Sequence, residues 1–221
     1  MPLKKHLLYP LLLLLLIIVV EYTGLDVWLE SFFYNAELRQ WPWKDHWLTS
    51  EILHTGARRV VVGIVLLVIF LIILSCFIEK LKPYRKAAAY FCIASLSGPL
   101  LVGIGKNLIH IYSPWDLIMF GGSKAYIRIL DTVPAGATVG HAFPAGHASA
   151  GFAFISLYFL LREYRPKYRF YGLAFGLLLG LLFGLTQQSR GAHFLSHDLM
   201  SLLINWYAVL MVYYLMYVRQ K

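Results

Sequence analysis

Six apolar stretches, Leu7–Val20, Val60–Ile78, Ala87–Gly105, Ala148–Leu161, Phe170–Leu185 and Leu199–Val218, divide this chain and constrain its fold more than any other feature. Apolar segments of this length bury themselves in hydrocarbon, where every backbone N–H and C=O must be satisfied inside the segment, so each reads as a helix. The first, fourth and fifth fall short of the roughly 20 residues a straight spanning helix needs, and flanking residues must extend them. With 59% hydrophobic residues, 14% charged residues and a mean hydropathy of +0.65, the 221 residues suit a polytopic membrane protein rather than a soluble domain. The expectation is an all-α integral membrane bundle of six transmembrane helices, residues 1–221 forming one domain.

The basic residues set its orientation. Lys4, Lys5, Lys80, Lys82, Arg85, Lys86, Arg162, Arg165, Lys167, Arg169, Arg219 and Lys221 are twelve of the twenty, and in a six-helix topology all fall on one side. Short loops that are not translocated accumulate Lys and Arg, so both termini are expected in the cytoplasm. The net charge of +9 is mainly this topological bias and gives no reason to invoke nucleic acid. A cleavable signal peptide is the alternative reading of Met1–Val20, but Glu21-Tyr22-Thr23-Gly24 follows where a small-x-small cleavage site belongs, which favours a retained first helix. Cys76 and Cys92 lie inside apolar stretches and suggest packing rather than a disulfide framework.

The opposite side receives Glu21–Arg59, Lys106–His147 and the turn Thr186–Asp198. The apolar positions of Leu25–Tyr34, followed by Trp41, Trp43 and Trp47, suit a helix lying at headgroup level, either as a lipid-entry rim or as a plain anchor. In the fifth stretch Gly172, Gly176, Gly180 and Gly184 recur every fourth residue, a small-residue ridge that lets helices approach closely in lipid.

Three polar islands also fall on that side: Lys106 with Ser113-Pro114, Phe143-Pro144-Ala145-Gly146-His147, and Ser189-Arg190-Gly191-Ala192-His193-Phe194-Leu195-Ser196-His197-Asp198. Histidine, Arg and Asp are costly near a bilayer and mark a reaction site by default. Each residue also has an ordinary reading. Lys106 at a helix end can snorkel, a lone histidine can hydrogen-bond at the interface, and Asp198 beside Ser196 can favour the start of the last helix. A metal site finds no compact set of three ligands at standard spacing, so none is expected.

Taken in order, the islands resemble the type 2 phosphatidic acid phosphatase superfamily, whose pattern is K-x6-R-P, then P-S-G-H, then S-R-x5-H-x3-D. The resemblance spans residues 106–198 by motif and the rest by topology. Lys106 matches the phosphate-binding lysine, while Ser113 stands where the family has arginine. Pro144, Gly146 and His147 match the second motif, with Ala145 in place of serine. The third is compressed. Gly191-Ala192-His193-Phe194 resembles the core around the family nucleophile and makes His193 the nucleophile, putting His197 one residue before Asp198 at the expected aspartate position. The other register makes His197 the nucleophile and leaves Ser201 in the aspartate's place.

The resemblance implies a phosphatase that needs no metal or other cofactor. Lys106 and Arg190, with Ser113 and backbone N–H groups near Gly146, would bind phosphate, His193 would attack phosphorus, Asp198 would hold its ring, and His147 would protonate the leaving oxygen and then activate water. His110, Tyr112, Trp115 and Asp116 form either a headgroup pocket or an ordinary loop. The family suggests a lipid phosphate in the bilayer as partner: lipid A, undecaprenyl pyrophosphate, phosphatidylglycerophosphate or phosphatidic acid. In a Gram-negative cell this implies the inner membrane with the site facing the periplasm. Phosphotransfer to another lipid, and lipid-phosphate binding or transport without hydrolysis, are the alternative readings.

Overall fold

The structure, a computed structural model, describes residues 3–219; Met1, Pro2, Gln220 and the Lys221 of the basic tail lie outside it. Its regular elements are helices, with no β-strand among the described residues, and residues 107–145 are mostly irregular. Helices α1 (Leu3–Leu8) and α2 (Leu12–Tyr22) are joined by a 3₁₀ turn at Pro10, and a short α3 (Leu25–Ser31) follows. A π-helical segment, Leu48–Gly56, leads without a break into α4 (Ala57–Phe77). Beyond it come α5 (Arg85–Lys106), α6 (Gly146–Phe152), α7 (Ser156–Tyr164), α8 (Arg169–Ser189) and α9 (Leu195–Tyr213).

Five helical segments are long and apolar enough to cross a membrane: Lys4–Tyr22, Leu48–Phe77, Glu79–Lys106, Pro166–Ser189 and Leu195–Val218. The remaining apolar stretch, Ala148–Leu161, is not one long helix of that kind. It forms α6 and α7 with a 3₁₀ turn between them, and its residues from Ala148 to Phe159 are mostly buried at the centre of the bundle. Its small and hydroxylated residues, Ala148, Ser149, Gly151 and Ser156, suit it to packing against protein on all sides rather than against lipid.

The glycine ridge is what lets α8 lie against this central element. A Cβ on Gly176 would stand 2.5 Å from the Ile155 backbone nitrogen, and one on Gly180 would penetrate the Phe152 ring. At Gly172 the neighbour is the Leu157 backbone, and at Gly184 it is the Asp198 carboxylate. On the other flank a buried polar network ties α9 to the start of α6. Ser201 Oγ donates to the Ala145 carbonyl at 2.8 Å, Asn205 Nδ2 donates to Ser149 Oγ at 2.8 Å, and the Ala145 N–H donates to the His197 carbonyl at 3.2 Å. His147 is thus held from both sides by α9, through Ala145 and Ser149, and the segment after it also by α8.

The helices alternate in direction, so the basic clusters gather at one end. There His6 packs against Tyr158 and Trp206, Lys86 lies over the Tyr217 ring, and the Tyr164 and Tyr217 hydroxyls are bonded at 3.1 Å. The three polar islands gather at the other end.

The segment Leu25–Tyr34 differs from the expected flat amphipathic helix. Its acidic residues point inward, Asp26 and Glu30 being fully buried, while Trp28 and Phe32 are exposed. The reason is a capping contact: Asp26 Oδ1 accepts from the Ser196 N–H at 3.0 Å, satisfying a donor in the first turn of α9 that Ser196 Oγ and Asp198 leave alone. Burial pushes the Asp26 carboxyl up to about 6. Of the three tryptophans, Trp41 is buried and Trp43 and Trp47 are exposed.

Candidate active site

Lys106 ends α5, His147 is the second residue of α6, and His193 sits in the five-residue turn between α8 and α9. Backbone geometry fixes that turn. Gly191 has φ +76°, a left-handed conformation that glycine adopts without steric cost, and a Cβ there would strike the Trp41 ring at 2.4 Å. The Gly191 carbonyl accepts from the Trp115 N–H at 3.0 Å, so two residues distant in sequence brace the turn.

A cavity of about 550 Å³ opens between α4, α5, α6 and α8. Its polar end is formed by His54, Arg58, Lys106, His147, Gln187 and His193, with Gly146 in the wall. No aspartate or glutamate lines it. The Lys106 ammonium has no carboxylate partner among the described residues, and a Cβ on Gly146 would lie only 3.6 Å from its Nζ. Apart from Ser95, the rest of the wall is hydrocarbon: Val61, Val62, Val65 and Leu66 of α4 face Phe91, Leu96 and Pro99 of α5. Val62, Leu66 and Leu96 are themselves exposed on the outside of the bundle, so the apolar end of the cavity opens sideways.

Three histidines stand at the polar end of the cavity. His147 stacks on His54 with ring centroids 4.6 Å apart, packs on Phe183, and lies with Nε2 3.2 Å from the Leu53 carbonyl. His193 is 7% exposed and reaches the cavity. Burial first and the Lys106 charge second hold its imidazole well below the usual histidine range, so it is neutral and its nitrogen lone pair is available. Its Nδ1 is buried without a partner, and the Ala142 backbone carbonyl faces the ring.

His197 lies 5.7 Å from His193 between ring centroids but does not line the cavity. It is packed edge-on between Phe143 and Phe194. Of the residues singled out by sequence, the cavity therefore brings together Lys106, Gly146, His147 and His193, and leaves Ser113, Arg190 and Asp198 outside its wall.

Each of these three has a definite place. Ser113 is buried beside Pro114, its carbonyl accepting from the Asp116 N–H. Arg190 lies next to the cavity, its Nε donating to the Lys44 carbonyl at 2.8 Å and Nη1 to Gln187 Oε1 at 3.2 Å. Asp198 accepts from Gln188 Nε2 at 2.6 Å, and its other oxygen has no partner, so it does not hold the His193 ring in this geometry. Tyr112, Trp115, Leu117 and Phe120 join Trp41 and Phe194 in a small apolar core below the turn, rather than forming a pocket.

Sequence reasoning missed His54, Arg58, Gln187 and the capping Asp26. A signal existed for the first two: His54 and Arg58 stand immediately before an apolar stretch, on the side that carries the islands.

No curated protein and no solved structure matches the chain. A family model does, over residues 87–221, which include all three islands and the helices α5 to α9 that hold them. With its ordered motifs converging on one cavity and its apolar helices around them, the chain belongs to the PAP2 superfamily, the type 2 phosphatidic acid phosphatases.

Proposed function

We propose that this protein is an integral membrane phosphatase that removes phosphate, as a monoester or from a pyrophosphate, from a membrane lipid. The observation that carries the reading is the division of one cavity into a cationic, histidine-bearing end and a hydrocarbon end that opens sideways. A lipid phosphate has the same two parts. A site without carboxylates and with an unpaired ammonium selects an anion, and acyl or prenyl chains fit the wall of α4 and α5.

In the proposed reaction neutral His193 attacks phosphorus in line, forming an N–P bond as the bond to the lipid oxygen breaks. His147, protonated once the phosphate anion is bound beside it, gives that oxygen its proton. A water molecule, deprotonated by His147, then attacks the phosphohistidine and releases inorganic phosphate, returning His193 to its neutral state. Lys106 and the backbone around Gly146 stabilise the oxygens of the transferring group, which is most of what phosphoryl transfer asks of a protein. Asp198, one residue past the position where the family has its aspartate, bonds Gln188 and leaves its other oxygen without a partner. Arg190 borders the site through Gln187 and has three of its five N–H donors unused.

We further propose six membrane crossings, with the buried α6–α7 element as the fourth, both termini cytoplasmic, and the cavity at the outer leaflet. In a Gram-negative cell this is the periplasmic face of the inner membrane. The gathering of basic clusters at the end opposite the cavity supports this orientation. The test is inorganic phosphate release by purified protein in detergent, with and without excess EDTA. The panel is lipid A, undecaprenyl pyrophosphate, phosphatidylglycerophosphate and phosphatidic acid, beside a water-soluble phosphomonoester. Release from at least one lipid that persists in EDTA is the expected result. Release from none, or only with added divalent metal, would refute it.

A further inference from the structure

The motif-one position that carries arginine in the family is Ser113 here, and Ser113 is buried away from the cavity. The cavity nevertheless has a guanidinium. We propose that Arg58, from the start of α4, supplies the second cation of the phosphate cradle, opposite Lys106, and so takes over the work that the Ser113 position leaves undone. This assignment rests on the reading of the cavity as a lipid phosphate site.

Three observations support it. Arg58 and Lys106 both line the cavity's polar end, and they come from different helices, α4 and α5, so their charges approach a bound anion from different directions. Arg58 has no carboxylate partner among the described residues. Arg58 follows His54 by four residues on one continuous helical segment, both line the cavity, and His54 stacks on His147, the proposed acid, which sets Arg58 on the leaving-group side.

The local backbone explains how α4 does this. Leu48–Gly56 is π-helical, and such wide turns concentrate at functional sites because they re-aim side chains that a regular helix would send elsewhere. Here His54, within the wide turn, and Arg58, just after it, both face the cavity. Arg190, by contrast, spends two donors on Lys44 and Gln187. A guanidinium whose N–H edge is not already engaged is the better bidentate partner for phosphate oxygens.

The test compares wild type with Arg58→Met, Arg58→Lys and Arg59→Met in detergent micelles. Turnover of phosphatidic acid and binding of orthovanadate by calorimetry are both read. Arg59 is the control, since it carries the same charge on the next residue of the same helix and does not line this cavity. Arg58→Met is expected to lower kcat/KM and weaken vanadate binding by about tenfold to a hundredfold, the scale on which single preorganised donors act. Arg58→Lys should recover part of both, and Arg59→Met should stay within about twofold, taking tenfold as the least a lost donor costs.

Unchanged vanadate binding and turnover in Arg58→Met would overturn the proposal while leaving the phosphatase reading intact. Equal losses in Arg58→Met and Arg59→Met would overturn it too, by pointing to general surface charge. A wild type that turns nothing over yet binds vanadate through Arg58 would keep the cradle and remove the hydrolase. A wild type that binds no vanadate would remove both.

Discussion

Gly176→Ala tests whether close helix contact, rather than glycine's flexibility, explains the ridge on α8. The added methyl would stand 2.5 Å from the Ile155 nitrogen and 2.7 Å from the Phe154 carbonyl carbon. Both are backbone atoms, so no side chain can swing aside. Ordinary contact begins near 3.4 Å, and α8 must therefore move off the α6–α7 element by about 0.9 Å. Overpacking of this kind costs roughly 1–3 kcal/mol, against which alanine recovers about 0.8–1.0 kcal/mol of helix propensity.

Gly103→Ala in α5 removes the ambiguity, because a Cβ there meets nothing within 4 Å. Propensity changes equally in both variants, so the difference between them isolates the packing loss, about 1–3 kcal/mol. Unfolding of both in the same mixed micelles measures it. The shift also separates the element that carries His147 from the helix that leads to His193, and a misplacement near 1 Å can cost on the order of 10² in rate. Equal stability of the two variants would refute the argument, and a displaced α8 with unchanged kcat/KM would refute its functional half.

His193→Ala should abolish turnover, whereas His197→Ala should retain part of it while losing stability, since that ring fills space between Phe143 and Phe194; a trapped phosphoenzyme labelled at His197 would reverse the assignment. The pH dependence of kcat/KM follows from the depressed basicity of His193. A nucleophile whose pKa lies well below 6.5 stays neutral as pH falls through 6.5, so the acid limb should appear below that value, and a limb centred at or above it would contradict a buried nucleophile. Arg190→Lys should be impaired about tenfold or more because a compact ammonium cannot reproduce the planar fork that reaches both Gln187 and the Lys44 carbonyl, while Ser113→Ala should stay near wild type. Measuring both on the best lipid of the panel decides it, and a worse Ser113→Ala would show a role for that hydroxyl.

The parts of this fold that repeat a local pattern were legible in the sequence. A continuous apolar run states its own helix, and a glycine every fourth residue states its own contact face, because both depend on periodicity along one helix. The α6–α7 element shows where that logic stops. Its sequence is apolar enough to suggest a span, but its 3₁₀ break and its burial on every side depend on what surrounds it. Asp26 was unreadable for the same reason: it caps a helix through Ser196, 170 residues later, and no spacing encodes such a contact.

The site divides along the same line. Lys106, His147 and His193 lie in short ordered motifs, and they meet in the cavity because the helix ends that carry them share one level of the bundle. What a phosphate requires beyond them is positive charge at the right distance, not charge at a given place in the chain. Read by motif, Ser113 is a loss. Read in three dimensions, any helix whose end reaches the same level can restore the charge, and α4 does so with a residue more than fifty positions upstream. On the proposed cradle the same helix also forms one wall of the lipid groove, so substrate entry and phosphate binding depend on a single element that touches the bundle chiefly through α5 and the π-helical segment against α8.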